Sequence, residues 1–97
     1  MNFISTSGQA VTVLIRACGY YWDGTQWITS AVSVPASETA LVDGVSEYSV
    51  PPPTSSPQNC FDAVKYVFVS GNSVISEQGA TTSEIERILC ELKIVRM

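Results

Sequence analysis

Histidine is absent from this sequence, and charged residues are scarce. Without an imidazole, the chain cannot form a Ser-His-Asp or Cys-His catalytic site, or a zinc site that needs a histidine ligand. Charged residues make up 14% of the chain, whereas roughly 25% is typical of soluble domains. Because the surface is poor in charge, we expect much of it to be covered by other protein chains.

Long apolar runs and basic clusters are also missing. No uninterrupted apolar segment approaches the roughly 18 residues of a membrane-spanning helix, so no membrane partner is predicted. The five Lys and Arg residues are scattered and are outnumbered by nine Asp and Glu residues, which argues against nucleic acid as a partner. The 97 residues, 45% of them apolar, suffice for one domain with a modest core.

Three cysteines occur, at Cys18, Cys60 and Cys90, and none belongs to a C-x-x-C pair. The N-terminal residues lack the basic segment and apolar stretch of a signal peptide. We therefore expect buried, reduced cysteines in a chain made in a cytoplasm. No metal site and no cofactor is predicted, because calcium-loop spacing and a Gly-rich phosphate loop are both absent.

The chain alternates between β-branched or aromatic stretches and short turns. Asp23-Gly24 and Gly71-Asn72 are typical of tight hairpin turns. Strands are predicted at 11–18, 20–22, 27–34, 47–50, 61–70 and 73–77. Sequential hairpins without intervening helices predict a mainly β fold, an antiparallel β-sandwich or small barrel of five to seven strands with one C-terminal α-helix. The expected organisation is an N-terminal arm at 1–10, a β-sandwich domain at 11–79 and a C-terminal amphipathic helix within 80–97.

The predicted helix spans residues 83–95. Ser83 and Glu86 have the spacing of a capping box. Apolar residues follow at intervals of three and four, which is the spacing of an association seam. These residues are Ile85, Ile88, Leu89, Leu92 and Val95. Two interpretations stay open: the helix packs back on the sheet, or it associates with another copy or a neighbouring protein.

An aromatic hairpin is the densest feature of the sequence, with Tyr20, Tyr21, Trp22 and Trp27 around the Asp23-Gly24 turn. The rings either pair across the strands and make the hairpin rigid, or they form a stacking face for a glycan. No catalytic residue is predicted and the chain is expected not to be an enzyme. A two-carboxylate glycosidase needs no histidine, but no carboxylate lies in a context that would raise its pKa.

Three segments in chain order resemble a known class of protein: the hairpin "YYWDGTQW", the strand "GVSEYSV" and the hairpin "KYVFVSGNSVI". Over residues 11–78 the pattern resembles small β-sandwich modules of tailed-bacteriophage virion proteins, such as head decoration or cement proteins, neck or collar components and tail-fibre accessories. The resemblance implies no catalytic residue. Since the chain stops soon after the predicted helix, we expect a small accessory subunit rather than a complete host-recognition fibre.

The function implied is that of a non-enzymatic structural protein of a tailed-phage virion, made in the host cytoplasm. Its expected partners are copies of itself, as a homo-oligomer with a trimer favoured, and neighbouring capsid, neck or tail proteins. Two alternatives stay open. The chain could be a carbohydrate-binding module that uses the aromatic hairpin 20–27, or a small acidic inhibitor of a host protein.

Overall fold

Nine β-strands form two antiparallel sheets in the computed structural model, which describes residues 11–42, 45–71, 73–81, 84 and 90–95. No residue among these lies in a helix. The strands, in chain order, are β1 Val11–Ala17, β2 Tyr20–Trp22, β3 Trp27–Ile28, β4 Val34–Pro35, β5 Ser37–Val42, β6 Val45–Val50, β7 Val64–Ser70, β8 Ser73–Ala80 and β9 Cys90–Val95. The prediction of a mainly β, antiparallel fold is confirmed.

The larger sheet has six strands, and its centre is the pairing of β1 with β7. Its order is β3-β2-β1-β7-β8, and β4 also pairs with β1. Val13 lies opposite Phe68 and Ile15 opposite Tyr66, and all four side chains are fully buried. Successive side chains of a strand point to opposite faces, so the adjacent residues Arg16 and Lys65, which lie opposite each other, are on the other face.

The smaller sheet has three strands in the order β5-β6-β9. Tyr48 on β6 lies opposite Leu92 on β9, and both side chains are about 6% exposed. Residues of this sheet and of the six-stranded sheet belong to one buried apolar cluster. The fold therefore has a single core to which both sheets contribute.

The predicted turns connect strands of these sheets. Gly24, with φ of 107°, lies in the loop between the paired strands β2 and β3. Gly71, with φ of 60°, lies between β7 and β8. Glycine suits both places because a positive φ costs it no steric strain. The strand predicted at 27–34 differs, since only its two ends are strands, β3 and β4, and the residues between them are irregular.

The C-terminal helix is the prediction that the structure corrects. Cys90–Val95, the second half of the predicted helix, forms β9 and pairs with the whole of β6. The sequence there alternates, with Cys90 and Leu92 buried and Glu91 and Lys93 exposed. That period of two suits a half-buried strand, and pairing with β6 favours it over the helix. Ser83, Ile85, Glu86, Ile88 and Leu89 lie outside the described residues.

Candidate functional site

The aromatic hairpin is organised by the carboxylate of Asp23. Its Oδ1 accepts hydrogen bonds from the backbone N–H of Thr25 at 2.8 Å, the Thr25 hydroxyl at 2.9 Å and the backbone N–H of Gln26 at 2.8 Å. The Thr25 amide, followed by that of Gln26, lowers the pKa of Asp23 because both bonds favour the ionised carboxylate. Asp23 is therefore committed to shaping the turn.

The two tryptophans of this hairpin pack against each other and against a neighbouring loop. Trp22 lies opposite Trp27, and their rings meet edge to face with centroids 5.4 Å apart and planes inclined by 61°. Trp22 is 4% exposed, and Trp27 donates from Nε1 to the carbonyl oxygen of Ser55 at 2.7 Å. These contacts match the interpretation of the rings as rigid hairpin packing.

The four aromatic residues do not share one face. Tyr20 lies opposite the buried Ala17 and, being two residues before Trp22, lies on the same face of the strand as Trp22. Tyr21 lies opposite the exposed Arg16. Because side chains alternate along a strand, Tyr21 is separated from Trp22. Tyr21 therefore lies apart from the other three rings, and the hypothesis of a glycan-stacking face stays a prediction.

A groove of about 560 Å³ opens beside Tyr21. Its polar side chains come from three places in the sequence: Arg16 on β1, Lys65 on β7, and Asp62 in the loop before β7. Tyr21, Arg16 and Lys65 lie side by side across three neighbouring strands. Directly opposed residues have Cβ atoms about 5 Å apart, so the three side chains form one row.

The two cations of this row already approach a carboxylate. Oε1 of Glu77 on β8 lies 3.8 Å from Nη2 of Arg16 and 3.7 Å from Nζ of Lys65. All three side chains are about half exposed. Ion pairs of this kind in water typically contribute less than about 1 kcal/mol, so Glu77 holds the cations only weakly.

A disulfide lies beside the groove, which Cys18 helps to line, and it corrects the prediction of reduced cysteines. Cys18, directly after β1, is bonded to Cys60 in the loop before β7, with Cα atoms 5.8 Å apart. The antiparallel pairing of β1 with β7 brings these distant residues together, because Arg16 lies opposite Lys65. Asp62 Oδ2 lies 3.4 Å from Cys18 Sγ. The prediction was right for Cys90, which is free and buried.

The buried titratable groups are unsuited to chemistry. Burial raises the pKa of the Cys90 thiol to about 11, although the nearby Tyr66 hydroxyl opposes this. Burial also raises the pKa of Tyr66, with a further contribution from Cys90. A nucleophilic or metal-binding cysteine needs its thiolate form. Cys90 holds its proton at neutral pH and lies 4% exposed in the core.

The residues predicted to mediate association do not form one surface among those described. Leu92 is buried in the core, and Val95 lies opposite Val45 within the small sheet. Ile85, Ile88 and Leu89 lie outside the described residues, so their role stays a prediction. Two other apolar side chains are exposed instead, Phe61 at 94% and Val74 at 64%.

Sequence reasoning missed the groove and Phe61. Arg16 and Lys65 are isolated charges within strongly apolar strands, and that departure from the apolar pattern was the available signal. Their proximity depends on the register of β1 with β7, which a single sequence does not specify. The sequence predicts a strand at Phe61, whereas the residue lies in the loop that Cys60 attaches to the end of β1.

Comparison with known proteins identified no relative: no family model matches the chain, and neither a curated protein nor a solved structure matches it. Within the described residues, no three or more Asp, Glu, Cys or His side chains are grouped so that they could hold a metal ion. The same part of the chain contains no helix with the length and apolar character needed to cross a bilayer.

Proposed function

We infer that this chain is a non-enzymatic structural subunit of a tailed-phage virion, which assembles with copies of itself and with neighbouring virion proteins. Its two sheets would pack face to face as a small β-sandwich, since both contribute to one core. The phage assignment rests on the resemblance of the hairpin and strand motifs to virion modules. The assembly role rests on the exposed features of the surface.

The observation that carries the assembly role is the placement of Phe61 and Val74. Phe61 precedes the first residue of β7 by three positions, and Val74 lies opposite Val69 near the other end of that strand. A large apolar side chain is therefore exposed at each end of the six-stranded sheet. A head-to-tail contact between subunits would bring these two places together and bury both side chains.

The edge strand β8 offers a second means of contact. Its eight residues pair with β7, and no described strand pairs with its other side. It contains no proline and no lysine, two residues that commonly protect edges from pairing. A bulge does interrupt the start of the strand, where Val69 pairs with Val74 and Phe68 with Ser76. The regular part after Ser76 could accept a strand from another subunit.

Sedimentation velocity over a range of concentrations tests this proposal. The unmodified chain should form a trimer or larger species, and Phe61→Ser and Val74→Ser should each shift it towards monomer. Gln58→Ser changes an exposed polar residue of the Phe61 loop and is the matched control. A monomer at every concentration, or an oligomer that neither substitution weakens, would contradict assembly through these residues. Circular dichroism of each variant confirms that the sheets are retained.

A further inference from the structure

We propose that the groove beside the Cys18–Cys60 disulfide binds a sugar that carries a carboxylate, such as a hexuronic acid unit of an acidic glycan. Four side chains of the groove supply the chemistry: Arg16, Tyr21, Asp62 and Lys65. This site differs from the aromatic hairpin face, because the two tryptophans are engaged in packing. It is also independent of the assembly role.

The cation pair is the feature that selects a carboxylate. Arg16 and Lys65 are two of only five basic residues in an acidic chain, yet they lie directly opposite each other. Both point towards the same oxygen of Glu77, at 3.8 and 3.7 Å. Glu77 thus acts as an internal stand-in for an acidic ligand. Its long contacts are easily displaced by a carboxylate that forms shorter, charge-assisted hydrogen bonds.

The remaining lining fits the rest of a sugar. The Tyr21 ring lies next to Arg16 on the same face and supplies an aromatic surface beside the cations, of the amphipathic kind that suits sugar C–H groups. Asp62 brings a carboxylate that can accept hydrogen bonds from ligand hydroxyls. A side chain at Gly19 would meet no atom within 4 Å, so this wall of the groove is open.

Size and charge favour a singly charged sugar over a phosphate or an acidic peptide. The groove volume of about 560 Å³ lies within the roughly 300–1,000 Å³ of small-molecule sites. Arg16 and Lys65 face two carboxylates, Asp62 in the groove and Glu77 beside it, so these four side chains together carry no net charge. Asp62 would repel a multiply charged anion, whereas it complements a ligand that combines one carboxylate with several hydroxyls.

Titration of the folded chain with the monosaccharide galacturonate, followed by isothermal calorimetry and amide chemical shifts, tests the site. Its methyl ester has the same ring and hydroxyls without the charge, and inorganic phosphate is the third probe. We expect binding of the acidic sugar only, with shifts around Arg16, Tyr21 and Lys65. Binding should weaken as ionic strength rises, because the contact is between exposed charges.

Arg16→Gln and Lys65→Gln should each reduce the affinity about tenfold or more, as the loss of a charged hydrogen bond does. Lys93→Gln is the matched control, because Lys93 is an exposed lysine of the other sheet that pairs with Glu47 at 3.4 Å. The proposal is overturned if no probe binds, if the ester or phosphate binds as tightly as the acid, or if neither groove variant weakens binding. The amide spectrum of each variant shows whether it is folded.

Discussion

Gln78 on β8 donates a hydrogen bond from Nε2 to the backbone carbonyl oxygen of Glu91 on β9, at 2.7 Å. The donor belongs to the six-stranded sheet and the acceptor to the three-stranded sheet. The two sheets are thus joined by a polar contact at the edge of the fold, outside their shared apolar core. This contact also links β9 directly to β8, which lies at the edge of the six-stranded sheet.

Replacing Gln78 by alanine tests how much this contact contributes. A typical hydrogen bond contributes about 0.5–1.5 kcal/mol to folding, so we expect Gln78→Ala to lower the free energy of unfolding by about 1 kcal/mol in urea denaturation. Gln58→Ala changes an exposed glutamine outside the strands and is the control. If Gln78→Ala and Gln58→Ala lower the free energy of unfolding equally, the hydrogen bond between the sheets does not contribute to stability.

The Cys18–Cys60 disulfide should be a major source of stability. It spans a sequence separation of 42 residues, and closing a loop of that length lowers the entropy of the unfolded chain by an amount worth about 4 kcal/mol. We expect reduction, or the double substitution Cys18→Ser with Cys60→Ser, to lower the free energy of unfolding by up to that amount. Thermal unfolding with and without a thiol reductant measures the effect.

The double variant provides its own control, since reductant should leave its unfolding unchanged. Thiol titration of the unmodified chain, denatured without reductant, should then find one free cysteine, Cys90. Three free thiols in protein that had been exposed to air would contradict the bond. Loss of the bond should also loosen the loop that carries Phe61, because Cys60 is the adjacent residue.

The hydroxyl of Tyr66 is buried with no partner in hydrogen-bond geometry, and its polar neighbour is the thiol of Cys90, a weak hydrogen-bonding group. A buried polar group without a partner costs free energy, and an apolar replacement of the same shape is close to neutral or stabilising. We therefore expect Tyr66→Phe to leave the free energy of unfolding unchanged or to raise it by up to about 1 kcal/mol. Tyr21→Phe, on the outer face of the sheet, is the control and should have no effect. A marked loss of stability in Tyr66→Phe would show that the hydroxyl is bonded.

The strands that could be predicted from the sequence are short runs of β-branched, aromatic and other apolar residues. In β1, Val11, Val13 and Ile15 are buried, and Leu14 between them is apolar as well. A run of this composition that is too short for a helix favours a strand. The hairpin turns followed for a similar local reason, since glycine tolerates the positive φ that both turns require. These features depend on neighbouring residues alone.

The features that could not be predicted depend on pairing across the chain. Cys90–Val95 is short enough for its apolar residues to fit a helix or a strand, and contact with β6 decides between them. Likewise, the meeting of Cys18 with Cys60 follows from the register of β1 with β7. The groove has the same origin, because Arg16 and Lys65 are distant in sequence and adjacent only in the sheet.

Stability should fall in alkaline solution because of the buried pair Cys90 and Tyr66. Burial raises the pKa of Cys90 from 9.0 to about 11 in the folded chain and raises that of Tyr66 as well. Below pH 9 the thiol is protonated in both states and the full stability is present. Between pH 9 and 11 the unfolded chain releases this proton while the folded chain keeps it, so the unfolded state is favoured.

A difference of one unit in pKa corresponds to about 1.4 kcal/mol. The thiol should therefore lower the free energy of unfolding by about 2–3 kcal/mol by pH 11. Ionisation of the Tyr66 hydroxyl should add to this loss. Urea denaturation at a series of pH values measures the decline. In Cys90→Ala the decline between pH 9 and 10 should be smaller, because the alanine has no proton to release and tyrosine in the unfolded chain ionises near pH 10. If the unmodified chain and this variant decline in parallel, the thiol is exposed or already ionised, and its place in the core beside Tyr66 is wrong.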